Sequence, residues 1–102
     1  MDIIHLTKAN FEQQALHCEK PVLLDFYADW CGPCRKTTPT INEIARENDA
    51  IQVCKVNVDE SPEIAAQYDV LSIPTFVILK NGKEYQRAVG ALNKNEILRL
   101  FQ

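Results

Sequence analysis

The feature that most constrains this chain is a pair of cysteines, Cys31 and Cys34, placed between an apolar run and a helical pattern. Two thiols at this spacing can close a disulfide with little backbone movement. Pro33 suits the first turn of a helix, because its missing N–H is no loss there and its φ is already helical. Cys31 is therefore predicted at or just before a helix N-terminus, where unpaired N–H groups and the positive end of the helix dipole stabilise a thiolate. Since the thiolate is the attacking species in disulfide exchange, this placement favours redox chemistry.

Strand and helix patterns alternate on both sides of this motif. The predicted strands are residues 3–6, 22–27, 51–58, 75–79 and 84–89. The predicted helices begin at Thr7 or Asn10 as N-cap, at the cysteine motif (ending near residue 48), at Ser61, and at a capping box formed by Asn93 and Glu96. Asn81-Gly82 between the last two strands is a strong hairpin signal. The order β-α-β-α-β-α-β-β-α predicts an α/β fold, with a central mixed sheet of about five strands flanked by four helices.

Size and charge limit the classes of protein this chain can belong to. Its 102 residues, 46% of them hydrophobic, predict a single domain over residues 1–102. With 11 basic and 14 acidic residues the net charge is −3, which argues against nucleic-acid binding. No apolar run approaches the roughly 20 residues that span a bilayer, and residues 1–6 lack the pattern of a secretory leader. We therefore expect a cytoplasmic protein, in which four cysteines indicate redox or metal chemistry rather than a disulfide framework.

The segment that contains the motif resembles the active-site signature of thioredoxins, with Trp-Cys-Gly-Pro-Cys following an Asp-Phe-Tyr-Ala strand end. The predicted order of elements is also similar to the thioredoxin fold, so the resemblance covers essentially the whole chain. It implies a protein-disulfide reductase in which Cys31 attacks the client and Cys34 resolves the mixed disulfide. It further implies a redox-active Cys31–Cys34 disulfide without a bound cofactor, and re-reduction by an NADPH-dependent flavoprotein, thioredoxin reductase. We also expect a monomer whose partners are disulfide-containing proteins.

Asp25 is the one charge in the predicted second strand. Burial beside Leu24 and Phe26 would raise its pKa by desolvation, and a carboxyl group that titrates near neutral pH can accept the proton of the resolving cysteine. Thioredoxins carry an aspartate with that role at the matching position, and Lys55 matches the family's strand lysine as its partner. Asp25 could instead be a strand-end carboxylate that reaches solvent, and Lys55 an ordinary solvated lysine.

By resemblance, a further set of residues contacts the client protein: Trp30, Gly32, Pro33, Ile73, Pro74, Gly90 and Ala91. Thioredoxin-like proteins have a cis-proline at Pro74 that faces the cysteines, and the residue before it offers backbone hydrogen bonds to the client chain. By base rate alone, Pro74 would be a trans proline at the start of a strand. Trp30 could likewise be a core aromatic residue, and Gly90 a glycine of a bulge or turn.

Three other hypotheses remain open from the sequence. An oxidase or isomerase on the same fold is one, although Pro33 resembles the reducing members. A non-redox binding module, whose Cys-x-x-Cys pair is incidental or half of a zinc site, is another; Cys18 and Cys54 are isolated in sequence and supply no second pair. Finally, Cys54 is predicted as a core residue, whereas an exposed Cys18 could form an intermolecular disulfide.

Overall fold

Five strands form one mixed sheet at the centre of the computed structural model, which describes residues 2–102. The strands are β1 (Ile4–His5), β2 (Val22–Tyr27), β3 (Gln52–Asn57), β4 (Thr75–Lys80) and β5 (Lys83–Val89). Their order across the sheet is β1-β3-β2-β4-β5. β3 pairs in parallel with β1 and β2, whereas β4 is antiparallel to β2 and to β5. The predicted fold class and its antiparallel hairpin edge are thus confirmed.

Helices cover both faces of this sheet. They are a short π-helix (Glu12–Leu16), α1 (Gly32–Glu47), α2 (Pro62–Gln67) and α3 (Lys94–Arg99). Alternate residues of β2 face opposite ways, so Leu24 packs in one apolar cluster with Ala15 of the π-helix and Ile64 of α2. Leu23 packs in the other cluster with Ile44 of α1 and Ile97 of α3. This burial on both faces explains why β2 is a nearly continuous apolar run.

The start of the first helix differs from the prediction. Neither Thr7 nor Asn10 is its N-cap, which is Phe11 with no side-chain capping bond. The Asn10 side chain instead accepts a hydrogen bond from the Thr7 N–H at 2.8 Å and donates one to the His5 carbonyl at 3.1 Å. Asparagine side chains often bind nearby backbone groups in this way, and here the two hydrogen bonds of Asn10 stabilise the turn before the helix.

The other predicted helix starts are at their expected places. Asn93 and Glu96 form the capping box at α3, with each side chain accepting the other's backbone N–H at 2.9 Å. Ser61 is the N-cap residue of α2 and precedes Pro62, but its side chain makes no capping hydrogen bond. No helix among residues 2–102 is long and apolar enough to cross a membrane.

The β4–β5 hairpin turns at Asn81-Gly82, as predicted. Both residues have positive φ, 54° and 77°, which is the backbone of the tight turn that matches strand twist. Gly82 has a second reason to lack a side chain, because a Cβ there would lie 2.7 Å from the carbonyl oxygen of Leu16. The hairpin turn is thus packed against the end of the π-helix.

Candidate active site

The two cysteines of the motif lie at the start of α1. Cys31 is the N-cap residue, with extended backbone, and Pro33 falls in the first turn. The N–H of Cys34 donates a hydrogen bond to Cys31 Sγ at 3.2 Å, and the two cysteines form a disulfide with their Cα atoms 5.2 Å apart. The predicted helix-start position of Cys31 is confirmed. A backbone N–H aimed at this sulfur stabilises the thiolate that forms when the disulfide is reduced.

Two separate clefts meet at this disulfide. A mostly apolar groove of about 500 Å³ borders Cys31, and we call it the Cys31 groove. A cleft of about 400 Å³, the Cys34 cleft, borders Cys34 together with Arg35 and Lys55. The two cysteines are almost equally buried, since Cys31 is 4% exposed and Cys34 5%. Both cysteines pack against Ala28, so they differ in the cleft that each one borders and not in their exposure.

The Cys31 groove brings together five of the predicted site residues and four others. The predicted ones are Trp30, Cys31, Gly32, Pro33 and Ile73, and those missed from the sequence are Val58, Val70, Leu71 and Ser72. The missed residues follow β3 or precede Pro74, so proximity to a strand end was the signal that could have found them. Leu71 is 96% exposed and Trp30 69%, which excludes a core position for the tryptophan. The Trp30 ring is held by Nε1, which donates to Asp59 Oδ2 at 2.8 Å.

The loop before β4 faces Cys31. The Ile73–Pro74 peptide bond is cis, as the resemblance implied, and the Ile73 carbonyl oxygen lies 3.9 Å from Cys31 Sγ. The Gly90 N–H donates to the Pro74 carbonyl at 2.9 Å, and Gly90 has a φ of 112° that suits glycine. Ala91 does not border the Cys31 groove; it lines a different cleft with Lys36 and Asn93.

Asp25 is buried at the centre of the sheet, 2% exposed, so a strand-end carboxylate that reaches solvent is excluded. Burial raises the pKa of Asp25 from its ordinary value of 3.8 to about 6, and the positive charge of Lys55 partly offsets that rise. Lys55 Nζ lies 4.0 Å from Asp25 Oδ2 and over the Tyr27 ring, 4.3 Å from its centroid. Oδ1 of Asp25 makes no hydrogen bond to any residue that the structure describes. Lys55 is also largely buried, so it is not an ordinary solvated lysine.

The remaining cysteines differ in burial. Cys54 on β3 is fully buried, and burial raises its pKa to about 12, so it is an unreactive thiol at neutral pH. Cys18 is half-buried and packs against the same apolar cluster. Within residues 2–102, no three His, Cys, Asp or Glu side chains are grouped so that they could hold a metal ion.

A cysteine pair at a helix N-terminus, facing a cis-proline on a mixed five-stranded sheet, defines a thiol-disulfide oxidoreductase. The family model described as "Thioredoxin" matches residues 2–102. Curated relatives include Thioredoxin 1 of Synechococcus elongatus, 46% identical over 93 residues (90% of this chain, 87% of that protein), and Thioredoxin of Pseudomonas aeruginosa, 41% identical over 96 residues (93% and 89%). Thioredoxin of Pyropia yezoensis is 43% identical over 98 residues (95% and 92%). The chain belongs to the thioredoxin family.

Membership of this family favours one of the functions that the sequence left open. Thioredoxins are protein-disulfide reductases, and this chain reduces protein disulfides through the reversible oxidation of Cys31 and Cys34. The redox-active disulfide is part of the chain, and the family works without a bound cofactor. An oxidase, an isomerase or a non-redox binding module is not favoured.

Proposed function

We propose that Cys31 is the attacking thiol and Cys34 the resolving thiol. The Cys31 thiolate attacks one sulfur of the client disulfide, the client S–S bond breaks, and the departing client sulfur leaves as a thiolate that takes up a proton. Deprotonated Cys34 then attacks Cys31 Sγ, forming the intramolecular disulfide and releasing the second client thiolate, so two electrons pass to the client. The observation that carries this assignment is the position of Cys31 as N-cap, with its sulfur accepting the Cys34 N–H beside an open apolar groove.

Asp25 is proposed as the group that takes the proton of Cys34, with Lys55 as its partner. With a pKa of about 6, Asp25 is mostly ionised at pH 7, and because this pKa lies near the working pH the carboxylate accepts a proton readily. Asp25 and Lys55 are directly paired across β2 and β3, and Lys55 also borders the Cys34 cleft. These contacts support an electrostatic link between the carboxylate and the side of the disulfide on which Cys34 lies.

The client chain is proposed to bind along the Cys31 groove. Trp30, Gly32 and Pro33 border this groove, and the backbone of Ile73, the residue before Pro74, offers hydrogen bonds to an extended client segment. Pro74, Gly90 and Ala91 are proposed to contact the client beyond the groove. A Cβ added at Gly32 or Gly90 would meet nothing within 4 Å, so the space beside each glycine is open to a partner. Backbone pairing of this kind accepts many client sequences.

The protein is further proposed to act as a cytoplasmic monomer of one domain, residues 1–102, which binds neither membranes nor nucleic acid. Its electrons come from NADPH through a flavoprotein, thioredoxin reductase. Membership of the thioredoxin family supports redox partners in general, and thioredoxin reductase is the partner that we propose.

Trapping the mixed disulfide tests the assignment of the two thiols. Cys34→Ser should accumulate a covalent adduct with a protein disulfide such as that of insulin, because Cys31 attacks but nothing resolves the product. Cys31→Ser should form no such adduct. An adduct formed by Cys31→Ser and not by Cys34→Ser would reverse the roles.

The direction of electron flow is tested with Trp30, the only tryptophan, which adjoins Cys31. Its fluorescence is titrated against dithiothreitol of known poise. The expected midpoint is the value known for thioredoxin, about −270 mV. A midpoint near the value known for DsbA, about −120 mV, would contradict the assignment as a reductase.

A further inference from the structure

Arg87, on the edge strand β5, makes three hydrogen bonds that the active-site chemistry does not use. Its Nε donates to Glu84 Oε2 at 2.6 Å and its Nη2 to Glu84 Oε1 at 2.8 Å, a two-point contact with the carboxylate. The same Nη2 donates to the backbone carbonyl of Tyr68 at 2.7 Å. The pKa of Glu84 is lowered, chiefly by its hydrogen bond from Arg87, so the pair stays charged at neutral pH.

The carbonyl that Arg87 binds lies at the C-terminal end of α2. Tyr68 is the C-cap residue of that helix, where carbonyl groups lack helical partners and a cation is favourable. Asp69 follows with a φ of 52°, which turns the chain away from the helix axis, and its carboxylate adds attraction for Arg87. Arg87 therefore adds a side-chain contact to a helix end that the Asp69 and Val70 N–H groups also close through backbone hydrogen bonds.

The chain that leaves α2 forms one wall of the Cys31 groove. Residues 70–73, which we call the groove loop, all border the groove and end at the carbonyl that faces Cys31 Sγ. The other end of the loop is bound by Gly90, the residue that follows β5. The Gly90 N–H donates to the carbonyl of Pro74, which follows the loop. One edge strand and its next residue thus hold both ends of the groove loop.

Between these two ends the groove loop is supported unevenly, because Val70 and Ile73 pack against the apolar core whereas Leu71 and Ser72 are exposed. Leu71 is almost fully exposed, so its side chain gives the loop little packing energy. The Val70 N–H donates to the Ala65 carbonyl at 3.0 Å, and the Ser72 carbonyl accepts from the Thr75 hydroxyl at 2.5 Å. The position of the exposed middle of the loop, at Leu71 and Ser72, therefore depends on the anchors at its ends, since exposed backbone with few packed side chains is the first to move.

We propose that Arg87, oriented by Glu84, is a positioning residue that holds the groove loop in place for protein clients. This inference rests on the proposed binding of clients along the Cys31 groove. A small disulfide needs only access to Cys31, whereas an extended protein segment needs the loop backbone in register. Arg87 therefore contributes to the reduction of protein disulfides and not to the redox chemistry itself.

The test compares a large and a small substrate in Arg87→Met, which keeps much of the side-chain volume but not the charge or the donors. We expect kcat/KM for insulin to fall about five- to tenfold, which is the net effect of one ordinary hydrogen bond, through KM rather than kcat. The rate with hydroxyethyl disulfide and the midpoint of the Trp30 redox titration should not change. Glu84→Gln, which keeps an acceptor but loses the charge, should give a smaller loss and provides the same test if Arg87→Met does not fold.

A matched control is Lys94→Met, which removes a cation that binds Glu43 and Glu47 and ties α3 to α1, away from the groove loop. It should leave both substrates unaffected. An unchanged insulin rate in Arg87→Met, an equal loss on both substrates, or a shifted redox midpoint would each overturn the positioning role. A wild-type protein that reduces hydroxyethyl disulfide but not insulin would instead overturn the proposed client function, and the inference with it.

Discussion

Replacing Asp25 by asparagine should make the protein more stable at neutral pH. The folded protein raises the pKa of this carboxyl group from 3.8 to about 6, chiefly because burial disfavours the charge. Each pKa unit corresponds to about 1.4 kcal/mol, so the ionised carboxylate lowers the free energy of unfolding by about 3 kcal/mol relative to the neutral acid. Asparagine resembles the neutral acid in shape, so the variant should recover most of that amount.

The pH dependence gives this prediction its sign. Between pH 3.8 and about 6 the native state binds the proton of Asp25 and the unfolded state does not, so stability falls as pH rises through that window. Above this window the loss of stability is complete, and below it Asp25 is protonated in both the native and the unfolded state. The gain in Asp25→Asn should therefore be about 3 kcal/mol at pH 8 and close to zero at pH 3.5.

Urea unfolding of the oxidised wild type and of oxidised Asp25→Asn, at several pH values between 3.5 and 8, measures how the stability of each protein depends on pH. Asp49→Asn is the control, because it removes the same charge at an exposed position. A stability difference between wild type and Asp25→Asn that stays constant across this pH range would refute the reasoning. So would a difference that the Asp49→Asn control reproduces.

Three further predictions follow from single contacts. Lys55→Met should raise the pKa of Asp25 further above about 6, because the attraction of Lys55 for the carboxylate is lost. Carboxyl-carbon NMR of Asp25 measures this pKa, and a lower value in the variant would contradict the assigned ion pair. Gly82→Ala should lower the free energy of unfolding by about 1–2 kcal/mol in a denaturant titration, since φ is positive there and the new Cβ would lie 2.7 Å from a carbonyl oxygen. Gly32→Ala, where φ is not positive and no atom lies within 4 Å of the new Cβ, should lower it far less. Cys54 should resist iodoacetamide at pH 8 in the native protein and react after unfolding, since it is fully buried; mass spectrometry that found it labelled in the native state would contradict that burial.

Features decided by nearby residues could be predicted from the sequence. Cys31 at the helix start depends on Pro33 and on the strand-to-helix junction, all within a few residues. The Asn81-Gly82 turn and the α3 capping box are equally local, and each has the predicted geometry. In each case one short segment contains all the groups that interact.

Features decided by contact between distant segments could not be predicted from the residues alone, and the cis-Pro74 that faces Cys31 was expected only through the resemblance. The Cys31 groove gathers Trp30, Val58 and Leu71 from three separate loops, and nothing in their sequence spacing indicates that they meet. The contact of Arg87 with the Tyr68 carbonyl depends on how β5 lies against the end of α2. The first helix is a local exception, because the Asn10 side chain bonds to the backbone of Thr7 and His5, within five residues, and does not act as the N-cap.

Asp25 is the residue at which stability and chemistry oppose each other. β2 is otherwise apolar and buried on both faces, and its aspartate has one oxygen without a hydrogen bond to any described residue, so packing gives no reason for a charge there. A cost of about 3 kcal/mol is a large share of the 5–15 kcal/mol that holds a typical domain folded. If Asp25 takes the proton of Cys34, Asp25→Asn should be both more stable and slower in the step that releases reduced client. A variant that gained the stability and released client at the wild-type rate would deny Asp25 a part in the reaction.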